Sequence, residues 1–183
     1  MGVLEKFRMD GKKGFITGAG QGIGKALADG FAEAGAEFAI VDINEENARA
    51  VAAELSEKYH CNIIAVRCDV TDPASVNAMI EKVLEAYGTV DFAINNAGIV
   101  NFFPLEEVSL EDWMKVINVN LVGVMLCAQA AAKVMISQHK KGTITNMASM
   151  SARIINIPQT TSSYCTSKAA VAHLTKSMAV EWA

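Results

Sequence analysis

The sequence has few of the features that mark a nucleic-acid-binding or zinc-binding protein. No run of lysine or arginine is longer than two residues, and the formal net charge of −4 leaves no basic stripe for a phosphate backbone. The chain has three histidines and four cysteines, and no two cysteines form a Cys-x-x-Cys pair. A zinc cluster therefore has no suitable spacing, and we expect reduced thiols and no metal site.

The N-terminus also lacks an apolar signal core, since it begins MGVLEKFRMDGKK. The most membrane-like segment, residues 119–136, is interrupted by Asn120, Gln129 and Lys133, so it falls short of a continuous apolar span. We expect this segment to form a buried or interface helix. We also expect the protein to be cytoplasmic, with no membrane or nucleic acid among its partners.

Hydrophobic residues make up 51% of the 183 and allow a substantial buried core. Short apolar or β-branched runs alternate with longer helical patterns. Strands are predicted at residues 14–17, 37–42, 62–68, 90–94 and 142–147, and helices near 22–34, 45–59, 73–87, 109–138 and 163–182. This β-α alternation predicts a doubly wound α/β fold, in which a parallel sheet is covered by helices on both faces. No linker divides the chain, so we expect a single domain over residues 1–183.

A glycine-rich turn follows the first predicted strand and opens the first helix, reading Thr-Gly-Ala-Gly-Gln-Gly-Ile-Gly over residues 17–24. Gly18 can turn sharply, Gly22 lets the backbone approach a pyrophosphate, and Gly24 permits close packing of the helix. The helix N-terminus favours the phosphate charge. A tight βα turn without a ligand would also use glycine, but the context favours a dinucleotide-binding domain of the Rossmann type.

Asp42 ends the second predicted strand, where a carboxylate can accept hydrogen bonds from both hydroxyls of an adenosine ribose. It would repel a 2′-phosphate, and neither Gln21 in the glycine turn nor the Ile-Asn pair at 43–44 supplies a cation to receive one. We therefore expect NAD rather than NADP as the cofactor. Alternatively, Asp42 caps the helix that begins near residue 44, a role compatible with ribose binding.

Further polar and small residues follow the third and fourth strands at the same edge of the sheet. Asp69 could hold the adenine amino group, although turn chemistry before the Thr-Asp-Pro at 71–73 is the alternative. The fourth strand runs into Asn-Asn-Ala-Gly at 95–98, which indicates that something flat passes closely over this backbone.

Tyr164 and Lys168 lie four positions apart near the start of the last predicted helix, which places them on one helix face. With the glycine turn, Asp69, the Asn-Asn-Ala-Gly segment and the Val-Asn-Leu at 119–121, this pair makes the chain similar to the short-chain dehydrogenase/reductase family. The resemblance covers essentially all 183 residues, and the motifs stand in the family's order. Each motif is weak alone, whereas the set is highly specific.

The resemblance implies that Tyr164 is the acid or base for hydride transfer at a carbinol carbon. A free phenol ionises poorly near neutral pH, and the ammonium of Lys168 one helical turn away favours the phenolate. By the same resemblance, Lys168 also hydrogen-bonds the nicotinamide ribose. Asn120 would hold a water that links the lysine to solvent; a satisfied core amide is the alternative, and Asn118 stands close by in the sequence.

The family also uses a serine that donates to the substrate oxygen, and the chain offers two just past the fifth strand. Ser149 is preferred because it follows the strand after one small residue, although Ser151 matches the commoner family spacing to the tyrosine. The predicted catalytic residues are Asn120, Ser149, Tyr164 and Lys168. The predicted cofactor-binding residues are Gly18, Gln21, Gly22, Ile23, Gly24, Asp42, Asp69, Val70, Asn96, Ala97, Gly98, Tyr164 and Lys168.

Family members usually continue through two more strands and a substrate-covering lid, so we expect this chain to lack that part. Residues 149–159 resemble the loop of members that act on polyols and ketoses, which favours an NAD-dependent oxidoreductase of such a substrate. Acyl or cyclic ketone substrates stay open, as does a sensor or scaffold that binds NAD without turnover. Apolar residues on several faces of the helices near 108–138 and 163–182 predict a homodimer or homotetramer.

Overall fold

The protein is described by a computed structural model, which covers residues 2–183. Five parallel strands form one sheet in the order β3-β2-β1-β4-β5. The strands are β1 Lys13–Thr17, β2 Glu37–Asp42, β3 Ile63–Arg67, β4 Phe92–Asn95 and β5 Thr143–Asn146. The helices are α1 Gly22–Glu33, α2 Glu45–Tyr59, α3 Pro73–Tyr87, α4 Leu110–Ile117, α5 Gly123–Ser137 and α6 Ser162–Glu181. The predicted doubly wound parallel sheet is confirmed.

The sheet has a separate apolar core on each face, because alternate strand residues point to opposite sides. Phe15 and Val41 belong to the core shared with α3 and α5. Their neighbours Ile16 and Ile40 belong to the core shared with α1 and α2. Both faces are therefore covered, as the β-α alternation predicts.

One helix prediction is wrong in detail. The single helix expected near residues 109–138 is divided into α4 and α5 by a π-helical turn, Asn118–Val122. The apolar pattern of residues 109–138 does not reveal the π-helical turn, because the chain stays helical through it. Strand β4 begins at Phe92, paired with Gly14, rather than at the predicted residue 90.

The helix caps follow the local sequence. Asp72 accepts hydrogen bonds from the backbone N–H groups of Ala74 and Ser75 at the start of α3. Asn44 accepts from the N–H of Asn47 at the start of α2, so Asn44 rather than Asp42 caps that helix. The alternative role of Asp42 as the helix cap is therefore wrong, and its carboxylate serves another purpose.

Among the described residues, one continuous helical stretch, Leu110–Ser137, is long and apolar enough to cross a membrane by length and composition. Its most apolar window has a mean hydropathy of 1.7, and half of that window is buried. Cys127, Ala131 and Met135 pack in the core beneath the sheet. Burial against the sheet accounts for the apolar composition of this stretch.

Candidate active site

The predicted site residues meet at one edge of the sheet, because the carboxyl ends of parallel strands all point the same way. Two cavities adjoin there. One, of about 520 Å³, is lined by all eleven predicted cofactor-binding residues outside α6. The other, of about 640 Å³, is lined by Ser149, Tyr164 and Lys168. The cavities share four lining residues, namely Ile23, Asn96, Gly98 and Ile99.

The glycine turn leaves an open cradle in the first cavity. A Cβ on Gly24 would lie 2.1 Å from the carbonyl oxygen of Gly18, so the close approach of α1 to the turn requires glycine. Gly22 has a φ of +56° and nothing within 4 Å of its Cβ position, which leaves its surface open to a ligand. Residue Gln21 makes no side-chain cap, so it does not block the N-terminus of α1. The cradle therefore fits the pyrophosphate of a dinucleotide.

The carboxylate of Asp42 is held in place by two backbone N–H groups. Oδ2 accepts from Gly20 at 2.9 Å, and Oδ1 accepts from Asn44 at 3.0 Å. These bonds fix the carboxylate at the rim of the first cavity, where each oxygen keeps a further acceptor site. Asp42 can thus stabilise the glycine turn and accept hydrogen bonds from ribose hydroxyls at the same time.

The Asp69 side chain stabilises the backbone turn in which it lies. Its Oδ1 accepts hydrogen bonds from the N–H of Thr71 at 2.9 Å and from the Thr71 hydroxyl at 2.7 Å. The turn chemistry considered as the alternative for Asp69 is therefore present. Asp69 and Val70 also line the first cavity, so the turn leaves them available to a ligand.

A threonine that the motifs did not single out connects the glycine turn to β4. The buried Thr17 hydroxyl oxygen accepts from the N–H groups of Asn96 and Ala97, at 3.0 and 3.1 Å. In return, the Asn96 side-chain amide donates to the carbonyls of Thr17 and Gly18. This reciprocal set fixes the backbone on both sides of the first cavity. In the sequence, the position of Thr17 directly before the first glycine was the only indication of these hydrogen bonds.

Tyr164 and Lys168 stand on α6 at the second cavity. The Lys168 ammonium lies 5.7 Å from the centre of the Tyr164 ring and donates to the carbonyl oxygen of Met147 at 2.6 Å. Lys168 is only 4% exposed, and this burial lowers the pKa of its ammonium because it disfavours the charged form. The expected juxtaposition of phenol and ammonium is present.

The two candidate serines occupy different environments. The Ser149 oxygen accepts from the N–H of Ser151 at 3.1 Å, which leaves its hydroxyl proton to be donated elsewhere. Ser151 is buried, and its oxygen accepts from the side-chain amide of Asn156 at 3.2 Å. Both line the second cavity. Each hydroxyl accepts one hydrogen bond and keeps its proton for a further partner, so the choice of Ser149 over Ser151 stays a prediction.

Asn120 is fully buried in the π-helical turn and lies behind the cavities rather than in their linings. Its Oδ1 accepts from the N–H of Ile99 at 2.8 Å. Its amide nitrogen donates to the Ile99 carbonyl and to the Ser167 hydroxyl, at 2.9 and 3.0 Å. The side chain therefore matches the alternative of a satisfied core amide. The predicted water link to Lys168 stays a prediction.

Comparison with known proteins identifies the family. The sequence model of the short chain dehydrogenase family matches residues 12–183. The chain belongs to this family. The resemblance carried by the motifs is therefore confirmed.

Individual members are similar over nearly the whole chain. A D-threitol dehydrogenase from Mycolicibacterium smegmatis is 41% identical over 176 residues, covering 96% of this chain and 66% of that enzyme. A short-chain type dehydrogenase/reductase from Mycobacterium marinum has a TM-score of 0.95 at 46% identity, covering 99% of this chain and 73% of that one. A gluconate 5-dehydrogenase from Burkholderia cenocepacia, in complex with NADP and tartrate, has a TM-score of 0.91 at 38% identity, covering 99% and 69%. The chain thus spans about two thirds of the length of these relatives.

In this member of the short chain dehydrogenase family, the cleft has further lining residues to which the sequence analysis gave no role. Lys115 and Val119, one helical turn apart, reach the first cavity from α4 and the π-helical turn. Asn156, Gln159 and Thr161 reach the second cavity from the loop before α6. The sequence did not indicate that these side chains line the cleft, because the approach of distant segments to the sheet edge places them there.

Proposed function

We propose that the intact protein transfers a hydride between NAD(H) and a secondary alcohol or ketone. One observation carries the proposal: a cavity that contains Ser149, Tyr164 and Lys168 adjoins an open glycine cradle suited to a dinucleotide. Family membership supports oxidoreductase chemistry of this class. The nicotinamide, when bound, supplies the hydride acceptor or donor.

Side chains of the protein transfer the carbinol proton and orient the substrate oxygen. When an alcohol is oxidised, Tyr164 as the phenolate would take the carbinol O–H proton, while a bound nicotinamide would accept the C–H hydride and the carbinol carbon would become a carbonyl. Ser149 donates its free hydroxyl proton to the same substrate oxygen and steadies the developing negative charge. Lys168 favours the phenolate through its nearby charge. Reduction of a ketone runs these steps in reverse.

The substrate that we favour is a polyol or ketose. Asn156 and Gln159 line the second cavity together with Tyr164, and side-chain amides can bind hydroxyl groups as donors and acceptors. The relative from M. smegmatis is a D-threitol dehydrogenase, which supports the same class. We propose NAD as the cofactor on the strength of Asp42, although the B. cenocepacia relative is in complex with NADP.

Replacement of Tyr164 by phenylalanine tests the proposal in the intact protein. We expect single-turnover NADH formation with D-threitol and related polyols to fall by a factor of about 10² to 10⁴, the usual contribution of a positioned acid or base. NADH affinity, measured by fluorescence titration, should be unchanged because the ring remains. Tyr59→Phe, at a partly buried position on α2 that lines neither cavity, is the control. Full hydride transfer in Tyr164→Phe would refute the assignment of Tyr164.

A further inference from the structure

Two buried serines precede the residues that the proposed chemistry uses. Ser163 stands one position before Tyr164, and Ser167 stands one position before Lys168. They are one helical turn apart on α6 and are 2% and 0% exposed. Serine is a weak helix former, so its burial at both positions calls for a structural reason.

Ser163 connects α6 to the segment that follows β4. Its hydroxyl donates to Oδ1 of Asn101 at 2.6 Å. The amide nitrogen of Asn101 donates in turn to the carbonyl oxygen of Asp112 in α4, at 3.1 Å. The first turn of α6 is therefore joined to α4 through one side chain.

Ser167 makes a second connection to the same segment. Its hydroxyl oxygen accepts from the amide of Asn120 at 3.0 Å, and its proton goes to the backbone carbonyl of Tyr164 at 2.7 Å. Asn120 also binds both backbone groups of Ile99. Because Ile99 lines both cavities, these bonds form a continuous path from the cleft to the backbone of Tyr164.

The first two turns of α6 bury little apolar surface that could fix the position of the helix. The buried residues of its first two turns are Ser163, Cys165, Ser167 and Lys168, and none of them is a large aliphatic or aromatic residue. The first buried branched aliphatic residue, Val171, comes a turn later. Hydrogen bonds have a preferred direction, so they define the rotation and height of the helix more sharply than contacts among small side chains do.

We propose that Ser163 and Ser167 are positioning residues for the reaction. They hold the Tyr164 phenol and the Lys168 ammonium at a set distance from the cofactor-binding segment 96–99. The proposal rests on the proposed function. A displacement of about 1 Å at a reacting group can cost about 100-fold in rate. The two hydroxyls do not touch substrate or cofactor, and they act through the helix backbone.

Alanine substitutions in the intact protein test the proposal, with Ser177→Ala as the matched control. Ser177 lies on the same helix, is exposed, and donates only to Glu181 at 3.1 Å. Rates of NADH formation are measured in single turnover, well below the melting temperature of each variant. They are divided by the number of sites that bind NADH. This correction removes any loss that comes from unfolding alone.

We expect Ser163→Ala and Ser167→Ala to lower the rate per binding site by about 10- to 100-fold, with NADH affinity unchanged within about twofold. Ser177→Ala should match the wild type in both measurements. A purely structural role would lower the melting temperature and leave the rate per site unchanged.

An active wild type whose serine variants keep the wild-type rate per site would overturn this proposal and leave the proposed function intact. A wild type that binds NADH and turns over none of the alcohols or ketones offered would overturn both. The two failures are therefore distinguishable from the same set of measurements.

Discussion

Lys168 is the only charged side chain that is buried among the described residues. Its ammonium has one protein hydrogen bond, to the Met147 carbonyl, and stands near the Tyr164 ring. Burial disfavours the charged form, and so the pKa of Lys168 is lowered. A charge kept in this environment costs stability, which is common where a site is organised for chemistry rather than for folding.

We predict that Lys168→Met changes how stability depends on pH. Between the lowered pKa in the folded state and the ordinary lysine value, the unfolded chain binds more protons, so wild-type stability rises with pH through that window. Below this pH window, the wild type carries the full free-energy cost of burying the charged ammonium. The Lys168→Met variant does not bury a charge, so its free energy of unfolding should exceed that of the wild type most near neutral pH. That advantage should shrink at alkaline pH.

Urea unfolding of both proteins over a series of pH values measures this difference. Lys176→Met, at an exposed position on the same helix, is the control for the loss of a lysine. Parallel stability curves for wild type and Lys168→Met would contradict the prediction.

We predict that Asp42→Asn raises the affinity for NADPH relative to that for NADH. Asparagine keeps one oxygen, which can accept from one of the two backbone N–H groups that hold residue 42, while the charge is lost. Removing repulsion of about 1 kcal/mol or more between the carboxylate and a 2′-phosphate should raise relative NADPH affinity by about tenfold. Fluorescence titration with both cofactors measures the ratio, and Asp69→Asn is the control. An unchanged ratio of NADH to NADPH affinity would show that Asp42 does not determine cofactor specificity.

At the scale of elements, a buried tyrosine joins the end of α3 to the start of β3. The Tyr87 hydroxyl accepts from the N–H of Ile64 at 3.2 Å and donates to the carbonyl of Asn62 at 3.1 Å. The ring packs in the core on that face of the sheet. Because burial disfavours the phenolate, the pKa of Tyr87 is raised, and the hydroxyl keeps its proton for this bond.

We predict that Tyr87→Phe lowers the free energy of unfolding by about 0.5–1.5 kcal/mol, since the N–H of Ile64 and the carbonyl of Asn62 lose their side-chain partner. Tyr59→Phe is the matched control, because the Tyr59 hydroxyl bonds to the half-exposed Asp29. We expect a change of about 0.5 kcal/mol or less there. Urea denaturation compares the two, and similar losses in both variants would argue against a special role for Tyr87.

At the scale of the whole molecule, several large apolar side chains stand on the outer surfaces of the helices. Leu110 and Met114 of α4, Ile136 of α5 and Val180 of α6 are exposed. Strand β5 forms one edge of the sheet, and its Thr143 and Thr145 are exposed. Exposed apolar groups of this kind are typical of surfaces that other protein elements cover.

We predict that the intact protein forms a dimer or tetramer and that the α4 surface takes part. Leu110→Glu combined with Met114→Glu should shift the protein towards the monomer, because each charge would have to be desolvated in the contact. Sedimentation velocity measures the shift. Val3→Glu, at an exposed position near the N-terminus, should leave the assembly unchanged. Sedimentation of the unaltered protein as a monomer would contradict this prediction.

Much of the architecture follows from local patterns. The alternation of apolar strands and helices predicts the parallel sheet, and the positions of Asp42, Asp69 and Asn96 after strands predict that they share one edge. These inferences succeed because hydrophobic periodicity and strand polarity are properties of short segments. The glycine turn is similarly local, since the close approach at Gly24 excludes any side chain.

The sequence by itself therefore determined the fold, the edge of the sheet that carries the site, and the residue types available for chemistry. Only the tertiary structure decided how the polar groups pair. Asn120 binds Ile99 and Ser167, which are 21 and 47 positions away, and Ser163 binds Asn101 from 62 positions away. A hydrogen bond requires its atoms to meet within a few tenths of an ångström, so such pairs depend on how distant segments pack together. No local pattern contains that information.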